Sequence, residues 1–140
     1  MSRVPDPADG AVDAARTPYV LLGGDAAVRA LVERFYDLMD LEPTYAALRA
    51  LHAADLAHAR EKLYLFLSGW LGGPGLYIER YGHPMLRARH LPFPIGIRER
   101  DQWLACMEQA MAEQGVEDGL RQALKQAFFQ TADWMRNRAG

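Results

Sequence analysis

Apolar positions recur along most of the chain at helical spacing. Val28, Leu31, Val32, Phe35, Leu38 and Met39 follow one another at intervals of three and four, which puts them on one stripe of an amphipathic helix of about four turns. Gly23-Gly24-Asp25 ahead of it reads as a turn with Asp25 as a possible cap. Pro43 opens a short helix over TYAALRAL, and Asp55 caps a longer one carrying Leu56, Ala59, Leu63, Phe66, Leu67, Trp70 and Leu71. Tyr64 and Leu65 widen that stripe, so more than one of its faces is expected to be covered. Gly72-Gly73-Pro74-Gly75 ends it. A further helix runs from Ile97 to about Gly115 with Trp103, Leu104, Met107, Ala110 and Met111 on its apolar face. The last runs from Val116 to Asn137 with Leu120, Leu124, Ala127, Phe128, Thr131 and Met135. Period-two alternation is missing throughout, so the predicted fold is all-α.

One interval breaks this economy. Between Leu71 and Ile97 lie some 25 residues in which the only helical stretch is MLRARH, boxed in by Gly82-His83-Pro84 in front and by Pro92 and Pro94 behind. A connection of that length in a small domain usually has a job or a ligand to lean on. Pro84 suits a first helical position, and Pro92 forces the helix to stop before it. His90 stands at the end of this turn, four residues after Leu86 and on the same face, so its ring is expected to point inward with Leu86. An inward imidazole has two readings. One is a half-buried side chain hydrogen-bonded to a nearby carbonyl; the other is a neutral ligand for a metal such as haem iron, which needs a single protein side chain.

Composition narrows the partners. The chain has 140 residues, half of them apolar, enough for one domain with a sizeable core. Residues 1–17, rich in Ala, Asp and Pro, read as a flexible tail before a domain over 18–140. The net charge is −2 with both signs scattered, which argues against nucleic acid or an anionic membrane as partner. Cys106 is the only cysteine and can form no disulfide within the chain. Neither a signal peptide nor a long apolar run is found, which makes the cytoplasm the expected compartment.

Several of these stretches, in this order, resemble a known family. Gly23-Gly24 before the first long helix, the pair Phe35-Tyr36, Gly72-Gly73-Pro74, the run from Gly82-His83-Pro84 through Arg89-His90 to Pro92-Phe93, and Glu99-Arg100-Asp101 followed by Trp103 look like a truncated haemoglobin of the second group. The likeness extends over roughly residues 19–135. It implies a truncated globin, a 2-on-2 helical sandwich around haem b, iron protoporphyrin IX. His90 matches the proximal ligand of the iron. Tyr36 and Trp103 match side chains that donate hydrogen bonds to the bound gas, and His52 matches an aromatic position that could supply a third donor. Phe35, Ala59 and Leu63 would line the distal pocket, with His58 nearer solvent. Lys62 and Arg89, and after them Tyr77 and His83, would meet the propionates; Phe66, Phe93 and Met107 complete the expected haem contacts.

The resemblance carries a mechanism with it. Dioxygen on ferrous haem gains partial negative charge, and donors beside it slow its escape. Slow release suits reaction with nitric oxide or peroxide, or sensing, better than oxygen delivery. The expected partners are therefore dioxygen, carbon monoxide, nitric oxide and a reductase, with the protein monomeric or a homodimer supported by exposed apolar side chains such as Trp134. The alternative is a haemless helical interaction domain with His90 as a core residue.

Overall fold

The computed structural model describes residues 16–139. The expected tail thus lies outside the described residues except for its last two. Thr17 caps the first helix, α1 (Pro18–Leu22), its hydroxyl accepting from the Val20 N–H at 3.3 Å. The Tyr19 N–H donates to Leu71 O at 2.9 Å, which ties α1 to the residue that ends the long helix over Ala57–Trp70. At that junction Gly73 has to be glycine, because the ring of Tyr19 occupies the space where a Cβ would stand.

Helix α2 (Asp25–Leu41) buries Val28, Leu31, Val32, Phe35, Tyr36, Leu38 and Met39, the stripe expected from its spacing. Its cap differs from expectation. Gly24, at φ 84, holds the N-cap position, and Asp25 instead accepts a hydrogen bond from the Tyr64 hydroxyl. A 3₁₀ turn over Pro43–Tyr45 leads into α3 (Ala46–Arg49). Helix α4 (Ala57–Trp70) follows, with Asp55 accepting from the Ala57 N–H at 2.9 Å.

The interval after α4 holds more structure than the sequence suggests. Besides the expected short helix there is α5 (Leu76–Tyr81), which buries only Tyr77. Six residues between glycines show too little periodicity to be seen in advance. The His90 helix, α6, spans Leu86–His90, and Pro84 lies before it, not at its first position. Met85 intervenes with φ 50, the one non-glycine residue among those described with positive φ, a conformation disfavoured for a side chain of this kind.

Helices α7 (Ile97–Glu113) and α8 (Asp118–Trp134) complete the chain. Glu99 reaches back to cap the start of α7, accepting from the Gly96 N–H at 2.9 Å, and Glu117 accepts from the N–H groups of Gly119 and Leu120 at 2.9 and 3.0 Å to start α8. The heaviest helix packing pairs α7 with α8 and α2 with α4, with α2 also lying against α7. Two helices stacked on two enclose one core, a 2-on-2 helical sandwich, and no strand occurs among the described residues. The buried centre includes Phe35, Leu31, Leu67, Met107 and Met111. Cys106 is buried there as well; its thiol donates to Phe35 O at 3.2 Å, and burial pushes its pKa up to about 12. It is a packed side chain, not a reactive one.

Candidate functional site

Between the helix pairs is a cavity of about 210 Å³, walled by residues of α2, α3, α4, α6, α7 and α8 and of the loops beside them. On α4 its wall is Leu63, Phe66, Leu67 and Trp70, successive positions of one helical face. Leu86 and His90 come from α6, which confirms that they share a face, and Phe93 and Ile95 from the loop after it. Tyr36, His52 and Trp103 also reach the cavity, so the structure brings together the four polar side chains singled out in the sequence.

His90 Nδ1 lies 2.6 Å from Leu86 O. A carbonyl only accepts, so Nδ1 carries the proton and Nε2 keeps its lone pair. The bland reading of this histidine and the ligand reading are thereby joined: the bond to the helix carbonyl sets the tautomer a metal ligand requires.

His52 is arranged likewise. Its Nδ1 is 3.0 Å from Leu48 O, and its ring stands edge-on to Tyr36 with centroids 5.9 Å apart. Burial holds its pKa below the ordinary value of 6.5, against the opposing effect of the Leu48 bond. Neutral His52 in this tautomer offers an accepting nitrogen to its remaining side, where the sequence suggested a donor.

Tyr36 and Trp103 are donors without acceptors. The Tyr36 ring is 5% exposed and meets Phe35 edge-on at 5.0 Å. Burial, partly opposed by the Arg60 charge, raises its pKa and keeps the hydroxyl protonated. Trp103 packs between Phe35 at 5.2 Å and Phe128 at 5.3 Å. Among the described residues neither the Tyr36 O–H nor the Trp103 indole N–H has a hydrogen-bond partner, although both side chains border the cavity. Donors of this kind are usually satisfied.

Other expected residues lie elsewhere. Phe35 is fully buried behind Tyr36 and Trp103 and is no part of the wall. Ala59 packs against the core one turn before Leu63, outside the cavity, and His58 is exposed. Met107, expected at the haem from the resemblance, lines instead a separate hollow between α7 and α8 with Leu104 and Met111, because Trp103 and Phe128 close the cavity one turn earlier. Tyr77 stands behind Phe66, edge-on at 6.4 Å, and also fails to reach the cavity. His83 is exposed and off the wall. Lys62 and Arg89 are off it too, yet neither has a carboxylate partner among the described residues. The Lys62 ammonium lies 5.5 Å from the Tyr81 ring, and the Arg89 guanidinium donates to Pro84 O at 2.7 Å.

Sequence reasoning missed the contribution of α8, which supplies Phe128, Thr131 and Met135, and of Trp70. Trp70 was within reach, since it continues the face of Leu63 by seven residues. Thr131, a hydroxyl in an otherwise apolar stripe, was the signal on α8.

A mostly apolar cavity with two lone-pair imidazole nitrogens and two idle donors, held in a sandwich of two helix pairs, is the architecture of a globin. The family model of the bacterial-like globins matches residues 17–137. Group 2 truncated hemoglobin YjbI of Bacillus subtilis (strain 168) is 42% identical over 86% of this chain and 88% of that protein. Among solved structures, the group II 2-on-2 hemoglobin of the plant pathogen Agrobacterium tumefaciens superposes with a TM-score of 0.83 at 49% identity, covering 86% of this chain and 94% of that one. The truncated oxygen-avid haemoglobin of Bacillus subtilis does so with a TM-score of 0.80 at 41% identity, covering 87% and 100%. The chain belongs to the bacterial-like globins, in the second group of truncated haemoglobins, a membership that implies haem and ligand binding.

Proposed function

We propose that the protein holds haem b through His90 and retains dioxygen for reaction with nitric oxide, or serves peroxide chemistry, in the cytoplasm and with a reductase as electron source. The observation that carries this reading is the pair of unpartnered donors, Tyr36 O–H and Trp103 N–H, on the wall of the same cavity as the His90 imidazole. The group fits the residues present. His90 offers Nε2 as a neutral ligand, the walls are mainly aliphatic and aromatic, and among the described residues no three His, Cys, Asp or Glu side chains gather to hold a metal by themselves. An iron taken by one imidazole brings its other ligands with it, as in a porphyrin. Lys62 and Arg89, free of carboxylate partners, are suited to the propionates. Leu63, Phe66, Leu86 and Phe93 would contact the macrocycle.

The haem would supply a redox-active iron that binds diatomic gases. The chain's own residues supply the rest. Leu86 O orients the imidazole and strengthens its basicity. Tyr36, kept protonated by burial, and Trp103 donate to a gas held in the cavity, where the low dielectric strengthens both bonds. At about 1 kcal/mol net for each donor, the two together slow ligand loss on the order of thirtyfold. That retention opposes delivery, and it accords with the description of the Bacillus subtilis relative as oxygen-avid. Dioxygen, carbon monoxide and nitric oxide are the ligands this site would take.

Absorption spectra of the purified protein test the reading. Ferric, ferrous and carbonyl-bound forms should each show a Soret band, and His90→Ala should lose or greatly weaken it. A colourless protein that stays folded when haem is added would overturn the proposal and favour an interaction domain.

A further inference from the structure

Helix α6 is an unpromising support for a metal ligand. It has five residues, buries none of them completely, has no side-chain N-cap, and makes no helix–helix contact comparable to those of the four long helices. Its hydrogen bonds to the segment after α8 are correspondingly dense. The Asn137 amide donates to His90 O at 3.3 Å and to Phe93 O at 2.8 Å, and its Oδ1 accepts from the Ile95 N–H at 3.0 Å. The Asn137 and Arg138 N–H groups both donate to Ile95 O, at 2.8 and 3.1 Å. In the opposite direction the Arg87 guanidinium, on α6, donates to Trp134 O and to Arg136 O, the latter at 3.1 Å.

Each helix is thus capped at its carboxyl end by the other segment. Free carbonyls at a helix end need donors, and a cation there also opposes the helix dipole. Arg87 serves the end of α8 and Asn137 serves the end of α6, at the carbonyl of His90 itself. The ring of His90 is oriented within its helix by Leu86 O, but that fixes it only relative to α6. The orientation of α6 in the molecule must come from elsewhere.

We infer that Asn137 is the positioning residue of the proximal histidine: its amide, by bonding the His90 and Phe93 carbonyls, sets the angle at which the imidazole approaches the iron. This rests on the reading of His90 as iron ligand. Two variants separate the roles of the amide. Asn137→Ala removes donor and acceptor; Asn137→Asp keeps the acceptor for Ile95 and removes the donors to His90 and Phe93.

The test reads the iron–histidine stretching band of the ferrous, ligand-free protein by resonance Raman, together with the rate of haem transfer to a scavenging apoglobin. Both variants should shift or split the band and speed haem loss about tenfold, with far-ultraviolet circular dichroism unchanged. A wild-type band in either variant overturns the inference, including the case in which Asn137→Asp alone is normal. If Asn137→Ala does not fold, Asn137→Asp decides alone. Amide exchange in the apoprotein keeps the two readings apart. Should the wild-type protein take up no haem, the functional proposal fails, while faster exchange at Phe93 and Leu91 in both variants would still support the clasp and unchanged exchange would overturn it.

Discussion

The two sides of the cavity are built by different means. On the Tyr36 side, α2 packs directly on both α4 and α7, Phe35 is fully buried, and the donor rings are fixed by aromatic contacts between 5.0 and 5.3 Å. On the His90 side, a five-residue helix follows a left-handed Met85 and is fastened by hydrogen bonds to a segment 47 residues away in sequence. The hydrogen-bond donors belong to the hydrophobic core and exist as soon as it forms. The imidazole depends on a few polar bonds and, when present, on the group it binds. On the proposed function, retention of the gas would thus be tied to global stability, and retention of the cofactor to a local equilibrium that can shift without unfolding the protein.

That contrast can be broken most severely at His90. His90→Ala should abolish stable haem uptake, seen as loss of the Soret band after gel filtration, while the apoprotein keeps its helical circular dichroism. Next in size, Phe35→Ala should cost about 3–5 kcal/mol of apoprotein stability in urea unfolding, as for other buried aromatics, whereas Leu86→Ala on α6 should cost about 1 kcal/mol or less. Equal losses would show that the two sides share one core after all. Tyr36→Phe and Trp103→Phe should each speed dioxygen dissociation about fivefold and together on the order of thirtyfold in stopped-flow exchange with carbon monoxide; an unchanged double variant would mean the donors are misassigned.

The smallest effect is that of pH. His52 is held neutral by burial, so its pKa in the folded apoprotein is below the 6.5 of the unfolded chain. The unfolded chain then binds more protons, and the stability owed to neutral His52 is present above pH 6.5 and falls away as pH drops below it. Replacing His52 by Leu should flatten this part of the stability profile between pH 7.5 and 5.5, measured by denaturant titration at each pH.

The same contrast decides what could be seen in the sequence. The long helices α2, α4, α7 and α8 were legible because a stripe repeated over four or five turns leaves little ambiguity. Tyr36 and Trp103 were singled out only through the family resemblance, since a tyrosine or tryptophan on an apolar stripe reads equally well as core, whereas the proline-bracketed turn already marked His90 and the resemblance chose between its two readings. Where the chain departs from regular spacing, inference stopped. Helix α5 is too short to show a period, and the conformation of Met85 postponed α6 by two residues. Met107 misled because the resemblance gives a position on the apolar face but not its depth, and the depth is decided by Trp103 of α7 meeting Phe128 of α8. The hold of Asn137 on α6 joins segments remote in sequence, and no local pattern announces it.

Arg60, outside the cavity, has a bearing on how the pocket can open. From α4 its guanidinium reaches Glu33 at 2.6 Å and Asp37 at 2.9 Å, on the turn of α2 that carries Tyr36, and it also bonds Glu33 O at 3.0 Å. One side chain therefore stitches α2 to α4 at three points beside the tyrosine. With that seam closed, a group as wide as a porphyrin would have to be admitted at the opposite wall, where Met85 carries an unusual backbone and the Asn137 amide holds α6.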